Sequence, residues 1–210
     1  MSLLLAGALF FAPAATDVAS VLKQLEDAGR SLSSMQARFA ETKVLVLLDE
    51  KAEARGTVLL QVPGRFRWNY EAPQESVTLV KDGRFARYLP RAKQVFRGPA
   101  KGEADLLVGF GPGAAGLGKK YQVTLAGEEV VAGVPAWVLD LKPQAAQASS
   151  ALFSAIRLWV DKARHFPVQT RLTEPTGDHT TVRFEGVKLN ATLPAGAFEL
   201  TLPKDVVEVK

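Results

Sequence analysis

The stretch Pro63-Gly64-Arg65-Phe66-Arg67-Trp68-Asn69-Tyr70 constrains the fold more than any other part of the chain. Pro63-Gly64 is a turn dipeptide, and strict alternation follows it. Side chains along a strand point alternately to opposite faces. Phe66, Trp68 and Tyr70 therefore share one face, and Arg65, Arg67 and Asn69 share the other. Three aromatic rings in a row need a large apolar volume, and the arginines opposite are expected to face water. Such a strand either packs onto a filled sheet core or forms the wall of a sizeable apolar cavity.

Strand and turn signals recur at short intervals on both sides of it, as all-β folds require. Alternating or β-branched runs at 35–42, 56–62, 77–80, 85–89, 94–97, 121–125, 130–131, 136–141, 156–160, 168–173 and 180–189 read as strands, with 198–202 as one more. Lys81-Asp82-Gly83-Arg84 carries the Asp-Gly hairpin signal. Short connections favour antiparallel neighbours. One helix precedes the strands: Thr16 or Asp17 can cap it, and Val18, Val21, Leu22, Leu25, Ala28 and Leu32 follow helical spacing as one apolar stripe. Gly29 is read as fraying near its end. Two irregular segments interrupt the strands. One, 99–120, is glycine-rich with an apolar patch at Leu106, Leu107, Val108 and Phe110; the other, 143–150, ends at Ala151-Leu152-Phe153. Long insertions in a compact domain are usually functional loops or lids.

The N-terminus reads differently. An apolar run over 3–11 is followed by Ala12-Pro13-Ala14-Ala15, small residues suited to signal-peptidase cleavage. Residues 1–15 are accordingly expected to be an export signal and 16–210 a single domain. The run is too short to span a membrane. There are no cysteines among the 210 residues, so export brings no disulfides, and no thiol is available for lipid attachment, metal binding or nucleophilic catalysis. A net charge of +4 and a pI near 9.4 permit attraction to acidic partners but do not argue for nucleic acid.

Catalytic and cofactor motifs fail on inspection. Gly111 to Gly116 fits G-x-G-x-x-G, yet the strand expected at 121–125 leaves no room for the helix that a dinucleotide site needs at that point. Gly113 to Lys120 resembles a phosphate-binding loop, but Lys120 stands where a hydroxyl should hold magnesium. His165 and His179 sit beside turns, and no H-E-x-x-H or G-x-S-x-G is present. No cofactor, metal or enzymatic activity is expected. Arg84, Arg87, Arg91 and Lys93 gather around one hairpin with Arg97 and Lys101, either as a solvated face or as a docking patch for an acidic partner or headgroup.

Gly56 to Pro73, with its glycine-led strand, Pro63, an aromatic two residues before Trp68 and a second proline after it, resembles the central signature of the periplasmic outer-membrane lipoprotein carrier (LolA) family. Val80-Lys81-Asp82-Gly83 matches that family's next hairpin, and the pattern extends over nearly the whole chain after residue 18. The chain departs from the family at Val62, where members often carry a basic residue that helps hold a lid closed. It also departs at Phe85-Ala86-Arg87-Tyr88, which lacks a tryptophan.

The resemblance implies a mainly β fold with an α lid: an unclosed, half antiparallel β-barrel whose apolar concave face is covered by short helices. It implies a soluble, monomeric periplasmic carrier that shields the acyl chains of lipoproteins and works between an inner-membrane release complex and an outer-membrane acceptor. Phe66, Trp68, Tyr70, Leu106, Leu107 and Phe110 are the expected cavity residues, and Val18, Leu22 and Leu25 the expected lid stripe. A carrier of another lipid on the same fold, and a periplasmic hydrolase with a hydrophobic pocket, are the alternatives.

Overall fold

The computed structural model describes residues 17–100, 108–146, 148–149 and 151–209. The run at 3–11 and the export signal assigned to 1–15 lie outside the described residues, as do Leu106 and Leu107.

The described residues open with helix α1 (Val18–Ser31), whose first turn is capped by the Asp17 carboxylate accepting from the Ser20 amide at 2.9 Å. Six strands follow: β1 (Ser34–Leu45), β2 (Glu50–Gln61), β3 (Arg65–Tyr70), β4 (Ser76–Lys81), β5 (Arg84–Leu89) and β6 (Gln94–Pro99). After a 3₁₀ turn and the single-turn helix α2 (Leu117–Lys120) come β7 (Tyr121–Val131), β8 (Val134–Pro143), β9 (Ala155–Asp161), β10 (Pro167–Thr173) and β11 (His179–Leu189). The last described element is strand β12 (Val207–Val209). All twelve belong to one sheet, in the order β12-β6-β5-β4-β3-β2-β1-β11-β10-β9-β8-β7. Every pairing is antiparallel except that of β12 with β6. β7 and β12 are edges, so the sheet stays open.

Its curvature follows from strand spacing. β5 and β10 are six strands apart in the order, about 29 Å in a flat sheet. Yet Arg87 of β5 and Leu172 of β10 line the same small cavity. The sheet must curl for that to happen, and one face becomes concave. Paired residues share a face, so register identifies which side chains point inward. Phe39, Gly56 and Tyr70 form one row across β1, β2 and β3; Ala37, Val58, Trp68 and Thr78 form another.

The structure departs from the sequence expectations in four places. Gly29 does not fray: it is buried in α1, and a Cβ there would lie 2.6 Å from the Gly111 carbonyl oxygen and 2.9 Å from Ala114 Cβ. It is glycine because the 111–114 turn packs directly on the helix backbone. β2 begins at Glu50, six residues before the apolar alternation, because backbone pairing with β1 carries a polar segment out to the hairpin tip. α2 does occupy the segment after Gly116, but a single turn is not the helix a dinucleotide site needs. The expected strand at 198–202 is absent. Its neighbourhood is turned by Ala197–Pro194 and Glu199–Gly196 backbone bonds, and Arg67 takes the carbonyls of Ala197 and Glu199 at 3.2 and 2.7 Å. Arg67 is therefore half-buried beneath the C-terminal segment instead of facing water.

Candidate functional site: the concave face

The concave face is filled along one end and one flank, and open at the other end. At the filled end, Phe110 sits edge-on against Phe166 and Phe184, with centroids at 4.7 and 4.9 Å. Leu32, Met35, Leu60 and Phe66 complete that cluster, with Val62 packed against it. On the flank, the α1 stripe packs Val21 and Leu25 on Leu139, Leu141, Ile156 and Leu158 of β8 and β9, with Val18 and Leu22 at the margin. Each methylene so buried contributes about 0.8 kcal/mol.

Beyond these two plugs lies a cavity of about 300 Å³, bounded by Phe66, Trp68, Tyr70, Leu172, Val182 and Phe184 with Phe153 at its edge. Its polar rim is made by Glu41, Lys43, Arg87, Glu174 and Thr180. A larger groove of about 550 Å³ runs elsewhere, beside Ser33, Gln61, Arg65 and the 190–199 segment, but its polar lining suits no apolar cargo.

The aromatic row of β3 spans the boundary between filled and open. Trp68 touches Phe39 at 4.6 Å between centroids, Phe66 at 5.8 Å and Phe184 at 6.2 Å, which leaves it 5% exposed. Tyr70, one step nearer the opening, stands edge-on to Phe39 at 5.1 Å. Gly56 makes that contact possible: a Cβ there would lie 2.9 Å from the Phe39 ring and 1.8 Å from the Asn69 carbonyl oxygen.

The rim is electrostatically specific. The Tyr70 hydroxyl donates to Glu41 Oε2 at 2.7 Å. Burial, reinforced by that neighbouring carboxylate, pushes the phenol well above its usual range, so it stays a neutral donor. Burial likewise raises Glu41, against the opposing influence of the Tyr70 hydrogen bond and the Lys43 charge. Lys43 in turn reaches Glu174 at 3.4 Å. Deeper in, the Thr170 hydroxyl is buried without a hydrogen-bond partner among the described residues.

Of the residues marked in the sequence, Phe66, Trp68 and Tyr70 line the cavity. Phe110 lies in the plug and not in the lining, and none of Val18, Leu22 or Leu25 reaches the opening. The basic cluster is divided. Arg87 pairs with Thr78 and points into the concave face, whereas Lys93 makes a 2.6 Å ion pair with Asp205. Arg84 and Arg91 are exposed on the hairpin ends. Glu41, Lys43, Thr170, Leu172 and Phe184 escaped sequence reasoning. Their alternation on β1, β10 and β11 was legible, but which face turns inward was not.

A family model for the outer membrane lipoprotein carrier protein LolA matches residues 30–201. The chain belongs to the LolA family. The outer-membrane lipoprotein carrier protein of Azotobacter vinelandii is 30% identical over 216 residues, covering 98% of this chain and 96% of the relative. Among solved structures, an uncharacterised conserved protein of Thermus thermophilus superposes with a TM-score of 0.58 at 18% identity, covering 91% of this chain and 97% of that one. The Mycobacterium tuberculosis lipoprotein LppX gives 0.52 at 15% identity, with 84% and 98% covered. These two likenesses establish the open-sheet fold alone. LolA membership makes the protein a periplasmic, non-enzymatic carrier of lipoprotein or lipid cargo. No described helix is long and apolar enough to cross a membrane.

Proposed function

We propose that this LolA-family protein carries lipoproteins from the inner to the outer membrane by shielding their acyl chains in the concave-face cavity. One observation carries the reading: the Phe66-Trp68-Tyr70 row runs out of the filled core into an apolar cavity that the lid elements leave open. Acyl chains gain about 0.8 kcal/mol for each methylene removed from water, so they cross an aqueous compartment only when covered. Broad apolar contacts suit cargo of variable chain length better than a hydrogen-bonded pocket would.

At about 300 Å³ the cavity stands at the low end of the roughly 300–1,000 Å³ typical of ligand sites. Cargo with several chains then enters only as the Phe110 plug and α1 move aside. Two glycines support that motion. Gly109 and Gly111 flank Phe110 at φ of 85° and 49°, and the plug meets apolar Val62, the residue after β2, beside Gly111. Release therefore needs no ion pair to break at that point. Delivery requires an inner-membrane donor complex and an outer-membrane acceptor, for which the exposed Arg84 at one end of β5 and Arg91 past its other end are the docking candidates, with Lys93, tied to Asp205, in the same turn as Arg91.

The test is binding of a fluorescent acyl probe, combined with mass spectrometry of lipid co-purifying with the periplasmic protein. Co-purified lipoprotein, together with probe affinity that falls at least about tenfold in Trp68→Ala, supports the reading. A different co-purified lipid would assign the same cavity to another cargo. Unchanged probe affinity in Trp68→Ala would remove the cavity from the mechanism.

A further inference from the structure

The β1–β2 hairpin ends in a 3₁₀ turn, Val46–Leu48, whose three side chains are a run of consecutive exposed large hydrophobics among the described residues. Val46 is 52% exposed, Leu47 85% and Leu48 65%. A single exposed apolar side chain needs no explanation, but three consecutive ones at a projecting tip do. The tip is held in place, not frayed. The Val46 amide donates to Asp178 Oδ1 at 2.9 Å, and Asp49, at φ 52°, closes the turn with its amide on the Val46 carbonyl.

Its position is informative. Lys43, three residues before Val46, is on the cavity rim, and Val44 pairs with His179 at the start of β11. The β10–β11 turn that supplies Asp178 also supplies the rim residue Glu174. Leu152, 59% exposed, precedes the cavity residue Phe153 at the same end of the sheet, where Ser154 bonds the Thr173 carbonyl. Four of the six exposed large apolar side chains among the described residues, Val46, Leu47, Leu48 and Leu152, thus gather where the cavity opens; Val130 on β7 and Val207 on β12 lie elsewhere.

Geometry also selects the occupant. A 3₁₀ turn has three residues per turn, so Val46, Leu47 and Leu48 radiate about 120° apart. A groove on a protein covers one side of a helix and would leave at least one of them in water. The hydrocarbon of a bilayer surrounds all three. Charge does not draw the tip to an acidic surface. Lys43 and Lys51 are outnumbered nearby by Asp49, Glu50, Glu53, Glu174 and Asp178, and both lysines are already paired, with Glu174 and Glu53. The carboxylates of Asp49 and Glu50 begin directly behind the turn and limit how deep it can go.

The geometry points to a membrane-inserting tip: Val46, Leu47 and Leu48 enter the acyl region of a lipid bilayer and bring the cavity mouth against it, so that acyl chains pass between cavity and membrane with little exposure to water. This rests on the carrier reading for its purpose, though the insertion itself does not.

The experiment uses the mature protein with phosphatidylcholine vesicles. It compares wild type, Leu47→Ser and the triple variant Val46→Ser/Leu47→Ser/Leu48→Ser, with folding checked by circular dichroism. Three readouts are taken: vesicle co-sedimentation, acyl-probe affinity without vesicles, and the rate of probe transfer to vesicles. Wild type should bind neutral vesicles, with no gain from added anionic lipid and little loss in high salt. The triple variant should partition roughly 100-fold more weakly and Leu47→Ser roughly tenfold, given the apolar area each leucine buries. Probe affinity in solution should be unchanged in both variants, while transfer slows with partitioning. Equal vesicle binding by wild type and the triple variant, or transfer that does not depend on the tip, overturns the proposal and leaves a protein acceptor as the tip's occupant. Failure of the wild type to bind the probe in solution overturns the carrier reading instead, and vesicle co-sedimentation still decides the tip.

Discussion

The Tyr70 hydroxyl donates to the Glu41 carboxylate at 2.7 Å, across the β2 strand that separates their own strands, and closes one side of the cavity mouth. Gly56 lies in the row between β1 and β3, so no side chain intervenes.

That pair makes the mouth sensitive to pH. Burial raises the Glu41 pKa above the ordinary 4.5, so the folded state holds this proton more tightly than the unfolded chain does. Its favourable contribution is complete below the unfolded value and is lost as pH rises through the folded one. Glu41→Gln keeps an acceptor for Tyr70 and cannot ionise. Its stability relative to wild type should therefore improve steadily as pH rises above 4.5, as urea midpoints at a series of pH values would show. A constant difference across the series would mean that Glu41 titrates as it does in water.

Thr170 offers a test of cavity polarity. Its hydroxyl is buried without a partner among the described residues, which costs about 1–3 kcal/mol for an unsatisfied group. Thr170→Val keeps the shape and removes that group. Stability should rise by about 1 kcal/mol, and the acyl probe should bind more tightly, in urea unfolding and fluorescence titration respectively. A loss of stability would show that the hydroxyl is satisfied in solution.

Gly56→Ala should be severe. The added methyl would meet the Asn69 carbonyl oxygen at 1.8 Å, a backbone atom that cannot swing away, and would press on the Phe39 ring. The expected loss is about 3 kcal/mol, the upper end for overpacking, and it should be visible as a shifted urea midpoint. Probe binding should weaken as well, because the β2–β3 contact that places Trp68 and Tyr70 is forced apart.

Arg67→Ala tests the opposite face. The guanidinium holds the carbonyls of Ala197 and Glu199, and Phe198 between them is 7% exposed. Losing these charged hydrogen bonds should cost about 1.5–3 kcal/mol and expose the C-terminal segment to limited proteolysis. Acyl-probe affinity should stay at the wild-type level, since no part of Arg67 lines the cavity.

Local sequence determined much of this protein. Alternation placed Phe66, Trp68 and Tyr70 on one face, Asp82-Gly83 set the β4–β5 turn with both residues at positive φ, and the helical stripe from Val18 onward set α1. Each is a short-range pattern, in which backbone geometry alone dictates where side chains point. Tertiary structure decided the rest. Whether Phe110 lines the cavity or plugs it depends on Phe166 and Phe184, more than 50 residues away in sequence. Arg67 looked like a solvated arginine until a C-terminal segment laid its carbonyls over it. Gly29 read as a fraying end and Gly56 as no more than the lead of a strand, yet each is a place where two backbones meet too closely for any side chain. The face on which β1, β10 and β11 turn inward, and hence Glu41, Thr170 and Leu172 as cavity residues, is set by the curl of a twelve-stranded sheet. Curl arises from the sum of many long-range pairings, and no local window of sequence contains it.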